Sequence, residues 1–106
     1  MYKSCLLIDP AKKTISKALL VNGMESIHKL VGVPRIKSRP LNDQGDHLFF
    51  ESDAHSGGRY SDAGFQIDDS PVIRGYAVIT RLASERDLED PALNHSELNE
   101  RLTFVS

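Results

Sequence analysis

Apolar residues along this chain fall into short runs, and their spacing switches between the periods of strand and helix. Cys5-Leu6-Leu7-Ile8 is apolar at every position, as expected of a strand covered on both faces. Asp9-Pro10-Ala11-Lys12 then supplies turn chemistry: an aspartate in first place accepts local amide hydrogen bonds, and a proline in second place presets φ. Thr14 to Val21 reads as the returning strand, with β-branched Thr14, Ile15 and Val21. A short helix follows. Asn22 is a suitable N-cap, and Glu25 three residues on resembles a capping box. Met24, Ile27, Leu30 and Val31 fall on one helical face, and Gly32 is placed to end the helix in the left-handed conformation.

Val33 to Arg39 reads as a strand bounded by Pro34 and Pro40, with Arg35, Lys37 and Arg39 on one face opposite Ile36 and Ser38. Prolines cannot donate to a ladder, so this strand is expected at a sheet edge. Asn42-Asp43-Gln44-Gly45 is a turn, and His47 to Glu51 forms the next strand. Ser52 to Ala63 is polar and glycine-containing, the composition of a loop. Gly64 to Ile67 suits a short strand and Val72 to Leu82 a long one, with Val72, Tyr76, Val78 and Leu82 opposite Ile73, Ala77 and Ile79. Further on, Asp90-Pro91 offers an N-cap followed by proline in the first turn, for a helix from about Pro91 to Leu102. Thr103-Phe104-Val105 either frays or adds a final strand.

These elements predict an α+β fold: a small, mostly antiparallel sheet of five or six strands, one short helix packed on it, and a C-terminal helix. Residues 1–82 are expected to form the core domain and 83–106 an acidic helical appendix of that same domain. At 106 residues the chain can build one core and not two.

Composition narrows the function classes. The chain has no Trp, three Tyr and four Phe, few for a surface that stacks bases or holds sugars. No apolar run approaches the roughly 20 residues of a membrane span. Met1-Tyr2-Lys3-Ser4 leads into no signal-peptide pattern. A single cysteine forms no internal disulfide and fits a reducing compartment, so a cytoplasmic protein is expected. Net charge is −2, unevenly spread. Residues 1–40 carry eight Lys/Arg against two acids, whereas 41–106 carry five Arg against thirteen acids. Either the two halves attract one another within the fold, or they present a two-signed surface to a partner.

Several segments, in order, carry a resemblance: Leu7-Ile8-Asp9-Pro10 with Lys13-Thr14-Ile15, Ile27-His28-Lys29-Leu30-Val31-Gly32, Gly45-Asp46 before Leu48-Phe49-Phe50, and Pro71-Val72-Ile73-Arg74-Gly75-Tyr76-Ala77-Val78-Ile79. Together they resemble a group of small uncharacterised bacterial, phage and plasmid proteins that open with an "LIDP"-type hairpin and close with a "P-I-x-G-x-x-x-V" strand. The similarity runs from residue 4 to 82 and departs from the pattern in the longer loop after Phe50. It implies a context, not a chemistry: proteins of mobile elements, among which binders of host or rival proteins are common.

Candidate chemistry is sparse. Cys5 sits inside an apolar strand, where a thiol is a core residue rather than a nucleophile. Asp53, His55 and Ser56 are neighbours on one loop without a nucleophile elbow. Asp46, His47, Glu51, Asp53 and His55 fall within ten residues, and His47 and Glu51 share a strand face, yet no metal-site spacing is present. His28 borders the apolar face of the first helix, and His95 lies in the acidic tail. Gly57-Gly58-Arg59 lacks the lysine and Ser/Thr of a phosphate-binding loop.

The sharpest surface feature is the cationic stripe of Arg35, Lys37 and Arg39, which suits an anion, nucleotide or nucleic acid with help from Arg59 and Tyr60, or simply guards a sheet edge. The expectation is a non-catalytic module without cofactor or metal that binds a protein, of a host or a rival. An anion or nucleic-acid binder using the basic strand is the alternative, and a metal-assisted hydrolase on His47, Glu51, Asp53 and His55 a third.

Overall fold

The computed structural model describes residues 3–32, 35–51, 63–83 and 87–105. Its N-terminal hairpin forms as the residues dictate. Strands β1 (Lys3–Asp9) and β2 (Thr14–Leu20) pair antiparallel from Lys3↔Leu20 to Asp9↔Thr14. Asp9 Oδ1 accepts from the amides of Ala11 at 3.1 Å and Lys12 at 3.2 Å, closing the turn. The uninterrupted apolar run of β1 is explained by burial on both sides: Leu6 and Ile8 enter one core, Cys5 the other.

Helix α1 (Met24–Val31) begins one residue later than the Asn22 motif predicts. Gly23 holds the N-cap without a side-chain bond, while Ser26 Oγ reaches back to accept from the amides of Val21 and Asn22. Gly32 ends the helix at φ 86°, as expected. The helix carries the chain across the sheet to β3 (Ile36–Pro40), which pairs with β4 (Asp46–Glu51) from Ile36↔Glu51 to Pro40↔His47. Strand β7 (Ala77–Leu82) runs between β4 and β1, so the sheet order is β2-β1-β7-β4-β3. A short β8 (Leu88–Glu89) pairs with the end of β7. Every pairing is antiparallel, and β3 is an edge strand, both as predicted.

A second sheet was not legible in the pattern. Strands β5 (Gly64–Ile67), β6 (Ile73–Arg74) and β9 (Leu102–Val105) associate in the order β6-β5-β9. The stretch from Val72 to Leu82 is therefore two strands in two sheets, not one long strand. The chain breaks at Gly75, whose φ of 96° belongs to the left-handed region that glycine enters without steric cost.

The result is three layers. On one face of the large sheet, Ile27 and Val31 of α1 cover Cys5, Leu20, Phe49, Val78 and Leu88. On the other, Leu6, Ile8, Leu48, Phe50, Ala77 and Ile79 meet Phe65, Ile67 and Ile73 of the second sheet, together with Leu93, Leu98 and Leu102.

The tail is thus built into the core. Its helix α2 (His95–Arg101) starts four residues after the expected Pro91, capped by Asn94 and not by Asp90. Asn94 Oδ1 accepts from the Glu97 amide at 2.9 Å and Glu97 Oε1 from the Asn94 amide at 3.1 Å, a reciprocal capping box. Leu102 has already left the helix, with φ −104° and ψ 135°, and opens β9. Of the two alternatives for residues 103–105, the strand is the one adopted.

One buried carboxylate anchors this arrangement. Asp46 is fully buried at the start of β4. Its oxygens accept from Asn42 Nδ2 at 2.9 Å, the Ala92 amide at 2.8 Å and the Leu93 amide at 2.9 Å. The tail is thereby fixed to the turn before β4 just ahead of its capping box.

Candidate interaction surface

The large sheet has two edges, and they differ in kind. At β3 the edge is short and ends in Pro40, with Lys37 and Arg39 facing the same side as their partners Phe50 and Leu48. These are the devices by which proteins block strand addition. Arg35 precedes the strand and is exposed, like Lys37, whereas Arg39 is half-buried. Arg39 stands in a depression of roughly 410 Å³ shared with Leu41, Asp68, Asp69, Ser70 and Arg101.

Arg101 is engaged there. Its Nη2 bonds Asp68 Oδ2 at 2.6 Å and the Leu41 carbonyl at 3.2 Å, and Nε bonds both Asp68 oxygens. That hydrogen-bonded guanidinium holds Asp68 below the usual carboxylate range, and the charge of Arg39 adds to the effect. Two arginines face two aspartates, so the depression has no surplus charge to draw a phosphate. Arg59 and Tyr60 lie outside the described residues.

The metal-ligand candidates among the described residues are dispersed. His47 and Glu51 do share a strand face, but four residues of extended chain separate them by roughly 13 Å, and the Phe49 ring lies between, 6.4 Å from that of His47. His47 Nδ1 is bonded to the Gly45 carbonyl at 2.8 Å, and Asp46 points to the opposite face to hold the tail. Asp53, His55 and Ser56 fall outside the described residues. Among the described residues no three His, Cys, Asp or Glu side chains come together around an ion position. Cys5 is fully buried, and burial pushes its thiol up to about 11 despite a hydrogen bond with the Ala18 backbone. His95 is exposed, and its Nε2 contacts the Ile15 carbonyl at 3.1 Å.

The acidic tail is largely spent on internal contacts. Lys3 Nζ pairs with Glu89 Oε1 at 3.0 Å. Asp90 Oδ1 accepts from the Ser4 amide at 2.7 Å and the Ser4 hydroxyl at 3.1 Å. Those two donors, with Lys3 and Lys17 nearby, hold Asp90 below the usual carboxylate range.

The other edge is β2. It is seven residues long, contains no proline, and pairs on one side with β1. Among the described residues no strand covers its second side. Ile15, Lys17 and Leu19 share the face on which Ile8, Leu6 and Ser4 stand opposite them. Ile15 packs against the core, and Lys17 overhangs a cleft of roughly 390 Å³ lined also by Ser4, Leu6, Asp90, Leu93 and His95. Leu19 projects into solvent at 59% exposure, followed by Val21 at 53% and Met24 at 44%. These are the largest exposed apolar side chains of the described residues, Tyr76 at 38% apart, and they cluster where β2 hands over to α1.

The pattern places Thr14 to Val21 in one strand without separating its inward from its outward apolar residues. The signal that distinguishes Leu19 and Val21 was available: they alternate with Ala18 and Leu20, and only one of the two sets can face α1.

No protein-family model, curated protein or solved structure matches the chain. No helix among the described residues is long and apolar enough to cross a membrane.

Proposed function

We propose that this protein is a non-catalytic protein-binding module that accepts a partner strand along β2. The observation that carries the reading is the contrast between the two edges. β3 bears proline and two cations, whereas β2 is seven residues long without proline, carries Lys17 as its one cation, has its Ile15 carbonyl engaged by His95, and lies beside exposed Leu19, Val21 and Met24. An open edge with apolar neighbours supports strand addition, in which main-chain hydrogen bonds give affinity and alternate side chains give specificity. The resemblance to proteins of mobile elements makes a bacterial host or rival protein the partner class.

The test is a tagged pull-down from bacterial lysate, read by mass spectrometry, alongside the double variant Leu19→Thr/Val21→Thr. Both side chains are exposed, so the variant keeps the fold. One protein at near-equal stoichiometry, lost by the variant, is the expected result. Equal recovery by the variant moves binding to another surface, and recovery of no partner removes the reading.

A further inference from the structure

The β2 edge is chemically polarised. At its start stand Lys12 and Lys13 of the hairpin loop and then Lys17, all exposed, with no acid between Asp9 and Glu25. Among the described residues the side chain of none of the three makes a hydrogen bond or ion pair, although the charge of Lys17 acts on Asp90. At its far end stand the exposed Leu19, Val21 and Met24. Lys17 lies between the two zones, over the cleft whose floor includes Leu6 and Leu93.

We infer that the β2 edge takes an extended peptide segment that is apolar in its N-terminal half and acidic in its C-terminal half. The inference rests on the strand-addition reading above and names the partner's chemistry. Three observations fix it. Backbone N–H and C=O groups along the edge beyond Ile15, whose carbonyl His95 engages, are matched by another extended peptide and not by a free anion. Lysines without an ion-pair partner at one end, Lys12 and Lys13 foremost since Lys17 already faces Asp90, call for carboxylates there, and exposed aliphatic side chains at the other call for apolar ones. Every strand pairing in both sheets is antiparallel, the slightly more stable arrangement, so the partner runs opposite to β2. Its N-terminal half then meets Leu19 and Val21, and its C-terminal half meets Lys17, Lys13 and Lys12. A side chain over Lys17 faces the cleft, where the Asp90 carboxylate already accepts from Ser4 and lies opposite the cation.

The experiment uses the whole protein and four blocked seven-residue peptides, matched to the length of β2. They are Val-Thr-Val-Thr-Glu-Thr-Glu, its reverse, the version with Lys for Glu, and the version with Thr for Glu. Binding is read by fluorescence anisotropy, and the bound edge by amide shifts in residues 14–20 against 36–40. The first peptide should bind best, about tenfold tighter than the lysine version, with salt narrowing the gap. Lys17→Glu, an exposed change, should narrow the gap between those two, and Lys12→Glu/Lys13→Glu should act in the same direction. Equal binding of the acidic, neutral and basic peptides at β2 overturns the acidic partner while strand addition stands. Tighter binding of the reversed peptide overturns the antiparallel orientation. No shift in residues 14–20 with any peptide, including where the protein dimerises through that edge instead, overturns both the inference and the reading beneath it.

Discussion

Replacing Asp46 by alanine tests the claim that one buried carboxylate ties the tail into the fold. Three donors lose their acceptor: Asn42 Nδ2 and the amides of Ala92 and Leu93. A hydrogen bond to a charged group contributes about 1.5–3 kcal/mol, and a buried donor left unsatisfied costs about 1–3 kcal/mol. The bond from the Leu93 amide is buried, so its loss counts in full. Asn42 and Ala92 lie nearer the surface and recover part of theirs from solvent. Relief of the cost of burying the charge offsets some of the remainder. The net is a destabilisation of about 3 kcal/mol, a large share of the roughly 5–15 kcal/mol that holds such a domain together. With a urea dependence of about 1–1.5 kcal/mol per molar for a chain this small, the unfolding midpoint should drop by about 2 M at unchanged slope. Asp46→Asn keeps one carbonyl oxygen and should lose about half as much. A midpoint for Asp46→Ala within about 0.5 M of the parent would refute the anchoring role.

Four further outcomes follow from the same packing. Deleting residues 84–106 removes Leu88, Leu93, Leu98 and Leu102, at about 2 kcal/mol each. The remaining 1–83 fragment should lack dispersed amide resonances, and a cooperative melt would restore the tail to the status of an appendix. Gly64→Ala puts a Cβ 2.8 Å from the Ile73 carbonyl oxygen and 2.9 Å from Val72 Cγ1. It should destabilise by about 2 kcal/mol in a thermal melt, because the closest neighbour is backbone and cannot step aside. Cys5 titrates near 9.0 when unfolded and about 11 when folded, so its contribution is complete below pH 9 and fades as pH rises through 11. The total effect is about 2–3 kcal/mol, visible in alkaline urea titrations as a slope that Cys5→Ala removes. Asp68 and Asp90 have lowered values, so their contribution is present above the ordinary carboxylate pKa and is lost as pH falls through the folded one. Arg101→Gln and Ser4→Ala should each flatten the acid limb of stability against pH.

What this sequence determined by itself was local. The 5–8 run, the Asp9-Pro10 turn and the short apolar runs in residues 48–50 and 77–79 name strands because run length and turn residues act over a few positions. Proline and three cations near 35–40 mark an edge strand for the same reason. Helix ends were less secure: Asn22 and Asp90 both have capping chemistry, yet Gly23 and Asn94 hold the caps, with the Asp90 carboxylate taken by Ser4 and the Asn22 amide bonded to Ser26 Oγ. The rest was decided by tertiary structure. Gly75 splits one apolar stretch between two sheets, Asp46 finds its partners 46 and 47 residues away, and the acidic tail turns inward through Leu93, Leu98 and Leu102. Which apolar residues remain outside, Leu19 and Val21 among them, depends on which strand ends up at an edge. That is a property of sheet order, and sheet order is set by non-local burial that no local pattern encodes.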